Sequence, residues 1–423
     1  MPNPSLTRIA QLAATITAEV ARIDGILAAH GLPSPSLDED APPALPDEAA
    51  DAQDAVLDAA AELNDLLREP LSAIYEHGGH NNNVCLQTIA RFHISAMVPA
   101  GGRVSYADLA ARTALPEQVL RRLLRHAMTM HVFREPEPGM VAHTRASKAL
   151  ADPAMNAWLR IGTEEMWPAA VRMLDALQKW PGSSEPNETG FSLGHNTSES
   201  IYGVIGGGGP ELAVRFATAM AVYASRPEYS PAFIVDHYDW AALGPDTRVV
   251  DVGGAQGHVA MALAHGHANL ASVLVQDMAV VVAGADAGVP AALKSRIAFM
   301  PHDLLAPQTV VADVYYFRWI LHNWSDKHCV LILRAQIPVL KPGARIIIQE
   351  TCMPEPGAVP RWKEKALRMN DINMGAVFNA RERTVGEWRD LLAEADPRFV
   401  LKAVTEPKGS ALGILEVVWS ATD

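Results

Sequence analysis

At 423 residues the chain exceeds one ordinary domain, and its 49% hydrophobic and 20% charged content supplies cores for two or three. A formal charge of -13 at neutral pH repels a phosphate backbone and an anionic lipid surface, which argues against nucleic acid and membrane as general partners. Cys85, Cys329 and Cys352 are odd in number, far apart and without a Cys-x-x-Cys pair, so they read as reduced thiols of a cytoplasmic protein rather than a disulfide framework.

The first stretch, 1–22, carries Arg8, Glu19 and Arg22 at helical spacing and no continuous apolar core, unlike a signal peptide. No run of about 18 uncharged apolar residues is present to span a bilayer. Apolar positions at Ile9, Leu12, Ile16, Val20, Ile23, Ile26 and Leu27 predict a helix over 5–30 with one sticky face. Prolines and acids crowd 32–48, which reads as a linker, and a second helix follows over 52–67. Residues 1–82 are therefore expected to form N-terminal helices joined by a proline-rich linker.

Over 83–155 the pattern is that of a small winged-helix module: helices at 84–97, 106–112 and 116–129, then a hairpin pairing Val132-Phe133 with Met140-Val141. The third helix carries Arg121, Arg122 and Arg125, as a DNA-reading helix does. Arginines are also common on a solvated helix face, and the acidity of the whole chain favours that reading over a winged-helix regulator. Residues 156–240 read as a helical connector and substrate-pocket region, broken at 182–199 and from Gly206 to Pro210.

From 241 to 423 the character changes. Short apolar runs at 248–252, 272–276, 297–300, 313–318 and 344–349 alternate with helical patterns, the mark of an α/β, mostly parallel, Rossmann-like sheet. A last strand pair is expected at 399–405 and 412–419.

Chemistry concentrates at the strand ends, where ligands of open parallel sheets bind. The run DVGGAQG at 251–257 leads a buried strand into a helix, and its glycines Gly253, Gly254 and Gly257 let a ligand approach the backbone. Asp277 ends the next strand, where an acid holds ribose hydroxyls, and Asp303-Leu304 follow the third, where an acid and an apolar residue suit an adenine. His322 lies after the strand ending near Arg318, Glu350 ends the following strand, and Glu382 precedes a helix. Each acid alone reads as a cap or surface charge. Together they flank a histidine, fixing its tautomer and stabilising the imidazolium formed when it takes a proton.

The motifs DVGGAQG at 251–257, FRWILHNWSD at 317–326, LKPGARIIIQE at 340–350 and ERT at 382–384 resemble the caffeic-acid-type O-methyltransferases. The similarity is greatest to the fungal branch that modifies polyketides and related metabolites, and it spans residues 80–420. It implies a class I methyltransferase sheet, an α-rich winged-helix dimerisation domain at the N-terminus, a homodimer with interlocking N-terminal helices, and S-adenosylmethionine as cofactor with S-adenosylhomocysteine as product. Carried over by motif, Gly253, Gly254 and Gly257 cradle the methionine part, Asp277 the ribose, and Asp303 with Leu304 the adenine, with Met278 also at the cofactor. Arg318 and Trp324 stand beside the cofactor, and His322 is the base with Glu350 and Glu382 beside it. No metal is implied.

The acceptor is expected to be a phenolic or enolic hydroxyl of a small secondary metabolite, in a pocket between the two domains lined by Met166, Trp167, His195, Asn196, Trp319, Asn323, Met374 and Phe378. The chain departs from the family pattern at two positions. Ala255 replaces a frequent glycine, which requires a negative φ there, and Asn323 replaces a frequent aspartate. Some fungal relatives keep the fold and cofactor but catalyse dehydration and pericyclic ring formation. Retention of His322, Glu350 and Glu382 favours methyl transfer over that alternative.

Overall fold

The computed structural model describes residues 6–207 and 210–420. Ser5, the expected start of the first helix, and Gly208 and Gly209 of the expected break lie outside them. The chain forms two compact units: Met1–Trp167, Pro210–Val222 and Pro356–Arg368 make the first, and Pro168–Gly209, Tyr223–Glu355 and Met369–Asp423 the second. Residues of the segment 156–240 occur in both units.

In the first unit, α1 (Arg8–His30) is capped by Thr7, stops at Gly31 with φ +63°, and packs on α2 (Ala50–Leu67) through Ile23, Leu27, Ala49 and Ala52. Helices α3 (Pro70–Gly78) and α4 (His80–Arg91) follow. The expected helix over 84–97 breaks after Arg91: His93 takes φ +51° and a 3-10 turn, Ile94–Met97, delivers Ile94 to the core.

Next come β1 (Arg103–Ser105), α5 (Tyr106–Thr113), α6 (Glu117–Thr129), β2 (Arg134–Glu137) and β3 (Met140–Ala142), with the three strands in the order β1-β3-β2. The wing starts two residues later than the sequence suggests. Val132 and Phe133 are buried in the helical core with Leu109, Leu120 and Leu124, and so are withdrawn from the hairpin. On α6, Arg125 pairs with Glu135 through two 2.8 Å bonds and Arg121 pairs with Glu117. Two of the three arginines that suggested DNA are thereby engaged within the chain. Helices α7 (Arg145–Ala149) and α8 (Pro153–Arg160) lead through a π-helical turn, Ile161–Met166, to α9 (Trp167–Lys179).

After α10 (Gly190–Gly194), α11 (Ile201–Gly207), α12 (Pro210–Ala224) and α13 (Ala232–His237), the second unit builds its sheet. The strands are β4 (Thr247–Val252), β5 (Leu270–Asp277), β6 (Ile297–Pro301), β7 (Val314–Arg318), β8 (Arg345–Glu350), β9 (Phe399–Thr405) and β10 (Gly413–Trp419). The interleaved helices are α14 (His258–Gly266), α15 (Ala279–Val282), α16 (Asp326–Gln336), α17 (Arg361–Phe378) and α18 (Val385–Ala395). The strand order is β6-β5-β4-β7-β8-β10-β9; the first five strands run parallel, and β10 is antiparallel to β8 and β9. Central strands are continuous apolar runs because helices cover both faces: Ile346, Ile347, Ile348, Tyr315, Tyr316 and Phe317 are fully buried. The strand order reverses between β4 and β7, and past their carboxyl ends lies the switch point at which open parallel sheets form their ligand crevice.

The three cysteines are free and buried, and no helix among the described residues is long and apolar enough to cross a membrane.

Candidate active site

The loop after β4 forms one wall of that crevice. Gly253 has φ +76°, and a Cβ there would stand 2.3 Å from Ile320 Cδ1, so a side chain at this turn would be strained and would displace the end of Ile320. A Cβ on Gly254 would meet Asp251 Oδ2 at 2.4 Å, and one on Gly257 would press the Phe299 ring at 3.1 Å. The Gly253 N–H donates to Gln276 O at 2.7 Å, tying the turn to the end of β5. Ala255 corrects an expectation. Its φ is +48°, not negative. Left-handed backbone costs an alanine about 1–2 kcal/mol, and an offsetting bond is at hand: the Ala255 N–H donates to Asp277 Oδ2 at 3.0 Å.

Asp277 also accepts from the Met278 N–H at 2.7 Å; burial raises its proton affinity, and these two backbone donors oppose the rise. Met278 is 43% exposed. Asp303 accepts from Leu305 N–H at 2.9 Å, a local loop cap, while Leu304 packs on the sheet core. Beneath the turn, Asp251 Oδ2 is buried without a hydrogen-bond partner. Burial pushes this carboxyl up to about 7, against the pull of Arg318. Arg318 donates to Tyr229 O and stacks its guanidinium 4.9 Å from the Trp319 ring.

The imidazole sits on the 3-10 turn Leu321–Asn323 after β7. His322 Nδ1 is 2.9 Å from Glu382 Oε1 and 3.9 Å from Glu350 Oε2, and both carboxylates are fully buried at the side chain. Glu350 also accepts from the N–H groups of Ile320 and Leu321 at 2.8 and 2.9 Å, which fixes the start of the loop. Burial opposes charging of His322, yet the Glu350 and Glu382 carboxylates outweigh it and hold its pKa above the ordinary value. Burial raises the Glu350 carboxyl, with His322 pulling the other way. A carboxylate only accepts, so Nδ1 carries a proton toward Glu382 and Nε2 of the neutral ring keeps its lone pair.

Three consecutive residues, 382–384, brace the imidazole from another segment. Glu382 grips the imidazole. The fully buried Arg383 donates to Leu321 O at 3.2 Å, Trp324 O at 3.0 Å and Asp326 Oδ1 at 2.6 and 2.9 Å, bracing the loop on both sides of His322. Thr384 caps α18 in a reciprocal bond pair with Glu387.

The expected pocket residues fall on several elements. Met374 and Phe378 are buried on α17, and Phe378 lies 5.6 Å from Tyr202 between ring centroids. Trp324 also stacks on Tyr202, at 6.3 Å. Trp319, with φ +54°, packs among Tyr223 and Tyr229, and Asn323 turns its amide back to Trp319 O at 2.9 Å. His195 stacks on Phe191 at 4.3 Å, with Asn196 in left-handed backbone beside it. Met166 and Trp167 belong to the first unit.

Sequence reasoning missed Arg383 and Tyr202. Arg383 was within a quoted motif, flanked by residues with clear roles. Tyr202 gave no signal: its phenol is pushed up by burial and then by the Asp277 and Glu350 carboxylates, a tertiary coincidence.

Residues 228–397 match the family model of the O-methyltransferase domain, and 77–153 that of the O-methyltransferase dimerisation domain. O-methyltransferase PaMT of Phomopsis amygdali is 43% identical over 98% of this chain and 97% of its own length. Chlorophenol O-methyltransferase of Trichoderma longibrachiatum is 37% identical over 98% of this chain and 90% of its own. The solved complex of LepI with SAM shares the fold, with a TM-score of 0.74 at 22% identity, covering 97% of this chain and all of that one.

Proposed function

The chain belongs to the O-methyltransferase family and uses S-adenosylmethionine, and on that premise we propose that it methylates a phenolic or enolic hydroxyl of a polyketide-like metabolite with His322 as general base. One observation carries the reading: a buried imidazole whose Nδ1 is held 2.9 Å from Glu382, with Glu350 at 3.9 Å, on the loop whose Ile320 meets Gly253. The crevice suits a cation, since Asp251, Glu350 and Glu382 each keep a buried carboxylate oxygen without a hydrogen-bond partner. Gly253, Gly254, Gly257, Asp277, Met278, Asp303, Leu304, Arg318 and Trp324 are the residues that would hold the cofactor.

Bound there, S-adenosylmethionine supplies an electrophilic methyl group. His322 Nε2 takes the acceptor's hydroxyl proton as the oxygen attacks, and Glu382 with Glu350 stabilises the resulting imidazolium. Aligning the reactants is the protein's other task. A positioned base of this kind contributes about 10²–10⁴-fold. The match to the dimerisation domain supports a homodimer formed through the N-terminal region.

The test is to incubate the purified protein with S-adenosylmethionine and a panel of phenols, including chlorinated phenols, polyketide phenols and pyridones, reading products by mass. Methylated product with equimolar S-adenosylhomocysteine supports the proposal. A rearranged product without S-adenosylhomocysteine favours the pericyclic alternative. His322→Ala should keep S-adenosylhomocysteine binding and lose most turnover; unchanged turnover removes the base.

A further inference from the structure

The carboxylate that holds the imidazole is itself held. Asn370 Nδ2 donates to Glu382 Oε1 at 2.8 Å, the same oxygen that receives His322 Nδ1 at 2.9 Å. The next residue of α17, Asp371, accepts the Glu382 backbone N–H at 2.8 Å. Two successive side chains of one helix thus grip Glu382 by its head and its backbone.

We propose that Asn370 is a positioning residue for His322, fixing the Glu382 carboxylate and limiting how strongly it favours the charged ring. The proposal rests on the general-base reading above. An acceptor oxygen that takes two donors shares its charge between them, so each is held less tightly than it would be alone. The charged groups facing His322 are Glu350 at the end of β8 and Glu382 with Arg383 before α18, while Asp326 of α16 is paired with Arg381 and Arg383. Asn370 is the neutral donor of this set. Without it, Glu382 Oε1 turns wholly to the imidazolium, the ring keeps its proton to higher pH, and less free base exists at neutrality.

The experiment is an NMR titration of protein labelled with 15N-histidine and saturated with S-adenosylhomocysteine. The His322 signal is assigned by its loss in His322→Ala. Asn370→Ala and the near-isosteric Asn370→Leu should each raise the His322 midpoint by about half to one pH unit. Binding of S-adenosylhomocysteine should be unchanged, and the acidic limb of the kcat profile should move to higher pH by the same amount. Lower kcat with an unmoved midpoint in both variants makes Asn370 merely structural and overturns the proposal. Full turnover in His322→Ala instead removes the base, and with it any catalytic meaning for the clasp.

Discussion

Replacing Glu382 by glutamine isolates the part of the site that charge alone supplies. The amide oxygen can still accept from His322 Nδ1 and Asn370, so the ring keeps its orientation while its nearest negative neighbour becomes neutral. An opposite charge within about 4–6 Å moves a pKa by about 1–3 units, and each unit is worth about 1.4 kcal/mol. Full expression of that loss in the transition state slows turnover by about 10- to 1000-fold. Glu350 remains 3.9 Å away, which places the expectation in the lower part of the range, about 10- to 100-fold in kcat. Burial lowers the His322 pKa and the two carboxylates raise it, so removing one carboxylate lets the value fall. The acidic limb of kcat/KM then moves to lower pH. Stability follows the same sign. A histidine with a raised folded pKa contributes stability fully present below its unfolded value of about 6.5 and lost as pH rises through the folded value. The deficit of Glu382→Gln in urea unfolding is therefore largest at acidic pH and shrinks toward alkaline pH. S-adenosylhomocysteine formation, followed by mass spectrometry across pH, measures the kinetic part. A kcat within about twofold of wild type together with an unmoved limb refutes the reasoning.

Arg383→Lys keeps the charge but not the fork that reaches Leu321 O, Trp324 O and Asp326 together. It should cost about 2–3 kcal/mol in urea unfolding and reduce turnover, because both flanks of the His322 loop are released; unchanged values in both assays would remove the brace. Asp251→Asn tests the buried carboxyl beneath the glycine turn. The unfolded chain releases this proton near about pH 3.9, whereas the folded chain holds it to about 7, so wild-type stability falls as pH rises across that window. Asparagine removes the penalty. The variant should gain on wild type by up to about 4 kcal/mol between acidic and alkaline pH, and parallel stability curves would show that the carboxyl ionises freely.

The sheet was legible because its strands are buried on both faces, which forces runs such as Ile346-Ile347-Ile348 and Tyr315-Tyr316-Phe317. Once the strands are placed, their carboxyl ends bring His322 and Glu350 together without further information. The segment 382–384 could be quoted as a motif, yet the sequence did not reveal that Arg383 spans the loop, since a buried arginine looks in sequence like any exposed one. Asn370 lies on a helix whose period shows which face is apolar but not which polar residue meets a carboxylate from a distant segment. Val132 and Phe133 read as strand because β-branched and aromatic residues suit strands. Their burial among the helices took precedence. The left-handed Ala255 was beyond inference for a similar reason, as its compensating acceptor, Asp277, comes from another strand.

The turn after β4 and the loop after β7 approach so closely that a Cβ on Gly253 would stand 2.3 Å from Ile320 Cδ1. Any side chain added at the first position must displace the second, and Ile320 N–H is one of the two donors that hold Glu350. A side chain at the turn thus meets the tip of the Ile320 side chain before anything that holds the backbone bond to Glu350. Shortening residue 320 should relieve part of that crowding, so the effects of changes at the two positions should not simply add.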